Sequence, residues 1–386
     1  MDFAISEETK MVLATVRRFV AEELMPHEEE VERLRAVRPE LAAELREKAK
    51  ALGLFAMGMP EELGGGGLSV LDMCLCEEEF GYTKDALVRR AFGSIPVGLL
   101  NCKGEQRERY LLPAIRGEIN VAAALSEPEA GSDAAGIRTR AVRSGSDFIL
   151  NGAKHFISDA DVADSFIVTA VTDPEKGARG ITSFLVDRTM QGFMLGRAQP
   201  MMGLHGTNTH EIVFTDLRLP ASAILGEEGE GLYQALSTIS RVRLAKVGGR
   251  SVGMARRLAE LSIAHAQQRR QFGKSLGEFQ MVQGMLADMA TEIYAARLMV
   301  LDTAWEVDQG RDPREKVSMV KYFASEMLGR VADKAVQIFG GMGYSREWPV
   351  ERLYRDARVY RIFDGASDIQ RLVIARTMLR TGEPLF

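Results

Sequence analysis

The chain has 386 residues, 46% of them hydrophobic and 27% charged, an ordinary globular composition that excludes disordered and fibrous classes. That length suffices for two or three domains or one large enzyme core. With 49 basic against 54 acidic residues the net charge is −5, which argues against nucleic acid as the main partner and makes any anion site a local one.

The first element in the chain is a helix marked by Met11, Val12, Val16, Phe19 and Val20 at helical spacing; Leu41, Leu45, Ala49 and Leu52 mark a second, stopped by Gly53. Gly64 to Gly67 lack the GK[ST] sequel and the preceding strand of a phosphate loop, so they read as a flexible turn. Three cysteines, Cys74, Cys76 and Cys102, are odd in number and have no second CxxC or histidine pair. They support neither a disulfide framework nor a zinc site, so no metal is expected and a reducing, cytoplasmic setting fits. The opening MDFAISEET has no basic or apolar leader pattern, and no stretch nears the ~18 apolar residues of a membrane span. A soluble, unprocessed chain is the expectation.

After Ala122 the texture becomes short runs rich in β-branched and aromatic residues: 147–150, 165–171, 181–186 and 211–214. Pro220 and the glycines at 226, 229 and 231 close this β-region. Beyond Leu232 long helices return, with stripes at Val252, Ala255, Ala259, Ile263 and Ala266, and at Val282, Met285, Leu286, Met289 and Ile293. Helices, then sheet, then helices predict an α+β chain divided as 1–121, 122–231 and 232–386. Near the end, Asp364 stands alone between Phe363 and Gly365. An apolar wall raises a carboxyl pKa and a glycine admits a ligand to the backbone, so this acid is placed for base chemistry. The bland alternative is that Asp364 caps the helix that follows.

In order, LSEPEAGSD (125–133), NGAKHFIS (151–158), RRQFGKSLGEFQ (269–280), QIFGGMGY (337–344) and RIFDGASDIQR (361–371) resemble the motifs of the acyl-CoA dehydrogenase family. The resemblance runs from the N-terminal helices to the last one. It implies an N-terminal helical domain, a middle β-barrel or sandwich domain and a C-terminal four-helix bundle, assembled as a homotetramer with one FAD per subunit. It further implies an acyl-CoA substrate, a place in fatty acid metabolism and an electron-transfer flavoprotein as electron acceptor.

The same resemblance, carried over by position, implies that Ala123, Leu125, Ser126, Gly131 and Ser132 lie on the flavin side, with Ser132 facing both FAD phosphates and CoA. Phe156, Ile157 and Ser158 stand for the family's Trp-Ile-Thr, an aromatic body and a hydroxyl near the flavin. Arg269, Gln271, Phe272 and Gln280 resemble the arm that reaches a neighbouring subunit's FAD, and Gln337, Gly340 and Gly341 the loop at its ADP moiety. Ala366 and Asp368 complete the implied cofactor set. Arg243 and Gly365 join Ser132 on the substrate side. Arginine suits phosphate because its planar fork binds oxygens in pairs.

In this family a carboxylate takes the α-proton of an acyl thioester while the β-hydride goes to flavin N5, giving a trans-2-enoyl thioester. Asp364 is implied as the base, with its own backbone N–H as a donor to the thioester oxygen. Most members carry Glu after Tyr there. Asp is shorter by one methylene, roughly 1.5 Å of reach, and a ~1 Å misplacement costs ~100-fold in rate, so the substrate or backbone must adjust. The substitution keeps open a branched, cyclic or polar acyl group, a nitroalkane oxidase-like enzyme or flavin monooxygenase of the same fold, and a flavin-binding homologue whose base has decayed. Arg89 and Arg90 are read either as a clamp on a charged acyl tail or, since neighbours on a helix cannot both face inward, as solvent-facing charges.

Overall fold

The computed structural model describes residues 5–385, the Arg241 side chain excepted. Six helices come first: α1 (Glu7–Phe19), α2 (Glu28–Leu34), α3 (Pro39–Ala51), α4 (Val70–Phe80), α5 (Asp85–Phe92) and α6 (Leu112–Ile115). Ser6 caps α1 by accepting from the Thr9 N–H at 3.0 Å, and Ser69 caps α4 in the same way through Asp72. The glycine run at 64–67 is tightly packed rather than loose: a Cβ on Gly66 would sit 2.8 Å from the Met57 Cα, and one on Gly65 would strike the Met59 carbonyl.

Seven strands follow: β1 (Val121–Ala124), β2 (Arg140–Ser144), β3 (Asp147–Ser158), β4 (Ser165–Val171), β5 (Ile181–Asp187), β6 (Phe193–Ala198) and β7 (Thr209–Leu219). They form one sheet in the order β1-β4-β2-β3-β7-β6, with β5 antiparallel on β4. All four runs picked out from residue type fall on strands. β4 is buried over all but its last residue, while the first half of β3 alternates buried Phe148 and Leu150 with half-buried partners, as a strand with one wet face does. Phe148, Phe166, Phe184 and Phe214 fill the core of this layer.

The chain then returns to helix: α7 (Gly231–Val242), a π-helical turn at Arg243–Gly249, α8 (Arg250–Gln268), a small hairpin of β8 (Arg270–Gln271) and β9 (Lys274–Ser275), α9 (Gln280–Asp308), α10 (Arg314–Phe339), α11 (Pro349–Val359) and α12 (Ser367–Thr381). α10 is the hub of this bundle, packed against α8, α9, α11 and α12. No described helix is long and apolar enough to cross a membrane. Cys74, Cys76 and Cys102 are buried free thiols, their pKa values raised by burial.

Three glycines bring the first helices down onto the bundle. A Cβ on Gly81, at the end of α4, would lie 2.5 Å from both the Arg250 carbonyl and the Met254 nitrogen. On Gly249 it would lie 2.5 Å from the Cys74 carbonyl, and on Gly253 it would collide with the Glu78 carbonyl. Only bare backbone fits there, so α4 and α8 touch main chain to main chain. That contact sets α5 beside the π-helical turn.

Candidate active site

Asp364 lies in the turn between α11 and α12 with φ = 53°, and Gly365 follows with φ = 90°. Two left-handed residues in succession reverse the chain; aspartate tolerates that region better than most side chains. Arg243 locks the turn by donating from Nε to the Asp364 carbonyl at 2.6 Å. A side chain on Gly365 would crowd the Arg243 Nη2 at 2.8 Å and the Gln370 amide at 2.5 Å. The structure thus brings Asp364, Gly365 and Arg243 together across 121 residues of sequence. Phe363 beside them packs on Tyr360, ring centroids 5.0 Å apart.

The capping alternative fails. The residue preceding α12 is Ala366, no side chain caps that helix, and the Asp364 carboxyl accepts no hydrogen bond among the described residues. Its own N–H is likewise not taken up by any described group. Burial raises the carboxyl's pKa, and Lys246, Arg243, Lys321 and Arg89 oppose that rise. Asp364 is therefore a carboxyl that is hard to ionise by desolvation yet surrounded by cations that favour its ionised form.

Of those cations, Lys246 and Lys321 were not singled out in the sequence. Lys246 lies one helical turn beyond Arg243 on the π-helical segment, a geometry that recurs at functional sites. Its ammonium is 3.3 Å from Asp85, and burial brings its pKa down to about 7. Lys321 on α10 is fully buried and its Nζ has no hydrogen-bond partner among the described residues; burial brings it to about 8. The available signal was a lysine inside an otherwise apolar run, Leu244 to Gly249 in one case and Val320 to Ala324 in the other.

Arg89 and Arg90 correct a second expectation. Neither is a solvent charge: Arg89 meets Asp85 at 2.5 Å and Asp159 at 2.8 Å, and Arg90 meets the other Asp159 oxygen at 2.8 Å. They stand in the last turn of the short helix α5, where long side chains from adjacent positions converge on one carboxylate beyond the helix end. Asp159, at φ = 59°, immediately follows Ser158. Arg89, one of the cations acting on Asp364, therefore ties that carboxyl's surroundings to the end of β3.

That strand end carries Phe156, at φ = 58° with 54% of its surface open. Ser158 is half-buried, and the Ile157 side chain is buried in the sheet core, leaving only its backbone to a ligand. The neighbouring segment is fixed beside it: the His155 N–H donates to the Ser126 carbonyl at 2.8 Å, and Lys154 donates to the Leu125 carbonyl at 3.0 Å. Lys154 also holds buried Glu127 at 2.8 Å; burial brings this lysine to about 8. Ala123, Gly131 and Ser132 remain exposed along this edge. An exposed aromatic face, hydroxyls at Ser126 and Ser158 and a rigid backbone rim fit a flavin ring.

Most of the remaining predicted residues gather elsewhere, at the end of the bundle. Arg269, Gln271 and Phe272 form the exposed hairpin after α8, Phe272 at φ = 50° and 92% exposed. Gln280 opens α9. Gln337 and Gly340 end α10, and a Cβ on Gly340 or Gly341 would meet open space, which leaves their backbone approachable. His265, stacked on Phe339 at 4.1 Å, joins hairpin to loop. Ala366 precedes α12, while Asp368 in its first turn is exposed and paired with Arg371 at 2.7 Å. Of the eight described non-glycine residues with positive φ, Phe156, Asp159, Phe272 and Asp364 all belong to these regions, as strained backbone at working sites does.

Three family models match in sequence: the acyl-CoA dehydrogenase N-terminal domain over residues 6–118, the middle domain over 122–217 and the C-terminal domain over 229–379. The chain belongs to the acyl-CoA dehydrogenase family. It is 38% identical over 380 residues to the caffeyl-CoA reductase–Etf complex subunit CarC of Acetobacterium woodii, covering 97% of this chain and 99% of that one. Its fold matches butyryl-CoA dehydrogenase from Megasphaera elsdenii with a TM-score of 0.90 at 34% identity, over 98% and 100% of the two chains. It matches an FAD complex of PigA at TM-score 0.91 and 29% identity, over 99% and 100%. As an acyl-CoA dehydrogenase family member the protein is an FAD-dependent oxidoreductase acting on acyl-CoA, with the helical, sheet and helical layers described above.

Proposed function

We propose that the protein dehydrogenates an acyl-CoA thioester between Cα and Cβ, with Asp364 as the base. The observation that carries this reading is the Asp364 carboxyl itself: free of hydrogen bonds among the described residues, desolvated, ringed by cations and held in a turn that Arg243 pins at 2.6 Å. A base must be within reach of its proton and not committed to a structural bond. The carboxylate takes the α-proton, and bound FAD supplies the acceptor for the β-hydride. The free N–H of Asp364 donates to the thioester oxygen as negative charge builds there.

Phe156 and Ser158, with Leu125 and Ser126, would hold the flavin ring, and Ser132 and Gly131 would meet its phosphates. Arg269, Gln271, Phe272 and Gln280, with Gln337, Gly340 and Gly341, receive the adenosine half from a partner subunit in a homotetramer. A phenylalanine 92% exposed at a hairpin tip supports that assembly, since its whole apolar ring is open to contact. The name of the Acetobacterium relative supports an electron-transfer flavoprotein as acceptor, and three buried free thiols support a reducing cytoplasm.

The test is anaerobic addition of butyryl-CoA to the FAD-loaded protein while following flavin absorbance. Bleaching is expected. Bleaching by nitroalkanes with indifference to every thioester overturns the reading.

A further inference from the structure

The charges around Asp364 do not balance. Asp85 is shared: it accepts from Arg89 at 2.5 Å and from Thr207 at 3.2 Å, pairs with Arg250, and still faces Lys246 at 3.3 Å. Arg250 also takes Glu77 at 2.5 Å. Asp159 is occupied on one oxygen by Arg89 and on the other by Arg90. Four cations thus meet three carboxylates, and all seven groups are largely buried. Counting an ionised Asp364 does not restore neutrality, because Arg243 and the partnerless Lys321 ammonium come with it.

Lys246 is where the surplus is available. Its one ion pair is the longest in the cluster, to a carboxylate already committed elsewhere, and a fifth of its side chain stays open. Burying an uncompensated ammonium is costly unless a ligand completes it. Arg89 lies next to it on the same shared acid.

We propose that Lys246 forms an anion-receiving subsite beside Asp364, and that the acyl group oxidised here ends in a carboxylate. The inference rests on the acyl thioester reading above and gives that substrate its class: a short acyl-CoA whose free end is anionic and lies close to the reacting carbons.

The experiment compares glutaryl-CoA with butyryl-CoA on the FAD-loaded protein, as kcat/KM of flavin reduction. In parallel it compares equilibrium binding of the corresponding 2-enoyl thioesters, with and without the terminal carboxylate. A charge-assisted contact predicts a roughly 10- to 100-fold preference for the carboxylated compound in both readouts. Lys246→Met removes the preference, and Lys246→Arg keeps it. If butyryl-CoA bleaches the flavin while the carboxylate confers no advantage in either readout, the subsite is wrong and the reaction stands. If no thioester bleaches the flavin but the carboxylated ligand still binds more tightly through Lys246, the reaction is wrong and the subsite stands.

Discussion

Two buried charge clusters join the first helices to the bundle, and they are built differently. In one, Glu28 receives Arg257 at 2.6 and 2.9 Å and Arg352 at 2.6 Å, while Glu32 receives Lys84 at 2.6 Å, Arg355 at 2.7 Å and His205 at 2.9 Å. With Glu351 on Arg355 and Asp356 held by the Leu204 N–H, four cations face four carboxylates. Burial raises the pKa of Glu28 and Glu32, but the arginines and lysine outweigh it, and Glu32 ends at about 2. In the other cluster, around Asp364, cations outnumber acids and the central carboxyl accepts no hydrogen bond among the described residues. Paired charge fastens elements together; unpaired charge at similar depth marks where a ligand belongs.

That contrast breaks most sharply at the two central acids. Asp364→Asn removes the base and should cut flavin reduction by about 1,000-fold or more, with FAD still bound and the melting temperature little changed. Equal activity in the variant would return Asp364 to the structural class. Glu28→Ala should do the reverse. It strands Arg257 and Arg352 in the interior and costs about 3–5 kcal/mol, read as a lower denaturant midpoint.

Acid sharpens the same distinction. Glu32 has a depressed pKa, so its stabilisation is present above the usual 4.5 and is lost as pH falls toward about 2. Unfolding followed by circular dichroism should show that loss in the wild type, and Glu32→Gln should flatten it. Asp364 has a raised pKa and must be ionised to act, so flavin reduction should rise with pH through a midpoint above the ordinary carboxylate range. Lys246→Met removes a cation that favours the ionised form and should move that midpoint higher. The smallest effect is expected at the sheet: Phe156→Ala should weaken FAD retention by about tenfold, measured by fluorescence of released flavin.

Much of this was legible in the sequence. The four strand runs, the helical stripes and the juxtaposition of Asp364 with Gly365 rest on local residue type, and the structure keeps them. Arg243 came from the motif resemblance. Lys246, Lys321, Asp85 and Asp159 did not appear, because their meaning lies in contacts such as Arg89 to Asp159 and Arg250 to Asp85 across 70 and 165 positions. Arg89 and Arg90 were misjudged for a related reason. Helical periodicity describes a face, and at the end of an eight-residue helix two long side chains escape it.

The π-helical turn at Arg243–Gly249 carries one more consequence. Above it, α7 contacts the sheet layer; below it, α8 is fixed by glycine contacts to α4. The wide turn sets the phase between two helices that answer to different neighbours. Deleting one residue inside it would keep both helices intact yet swing one relative to the other by about 100°. With that residue removed between Arg243 and the lysine one turn below it, the two would no longer both face Asp364.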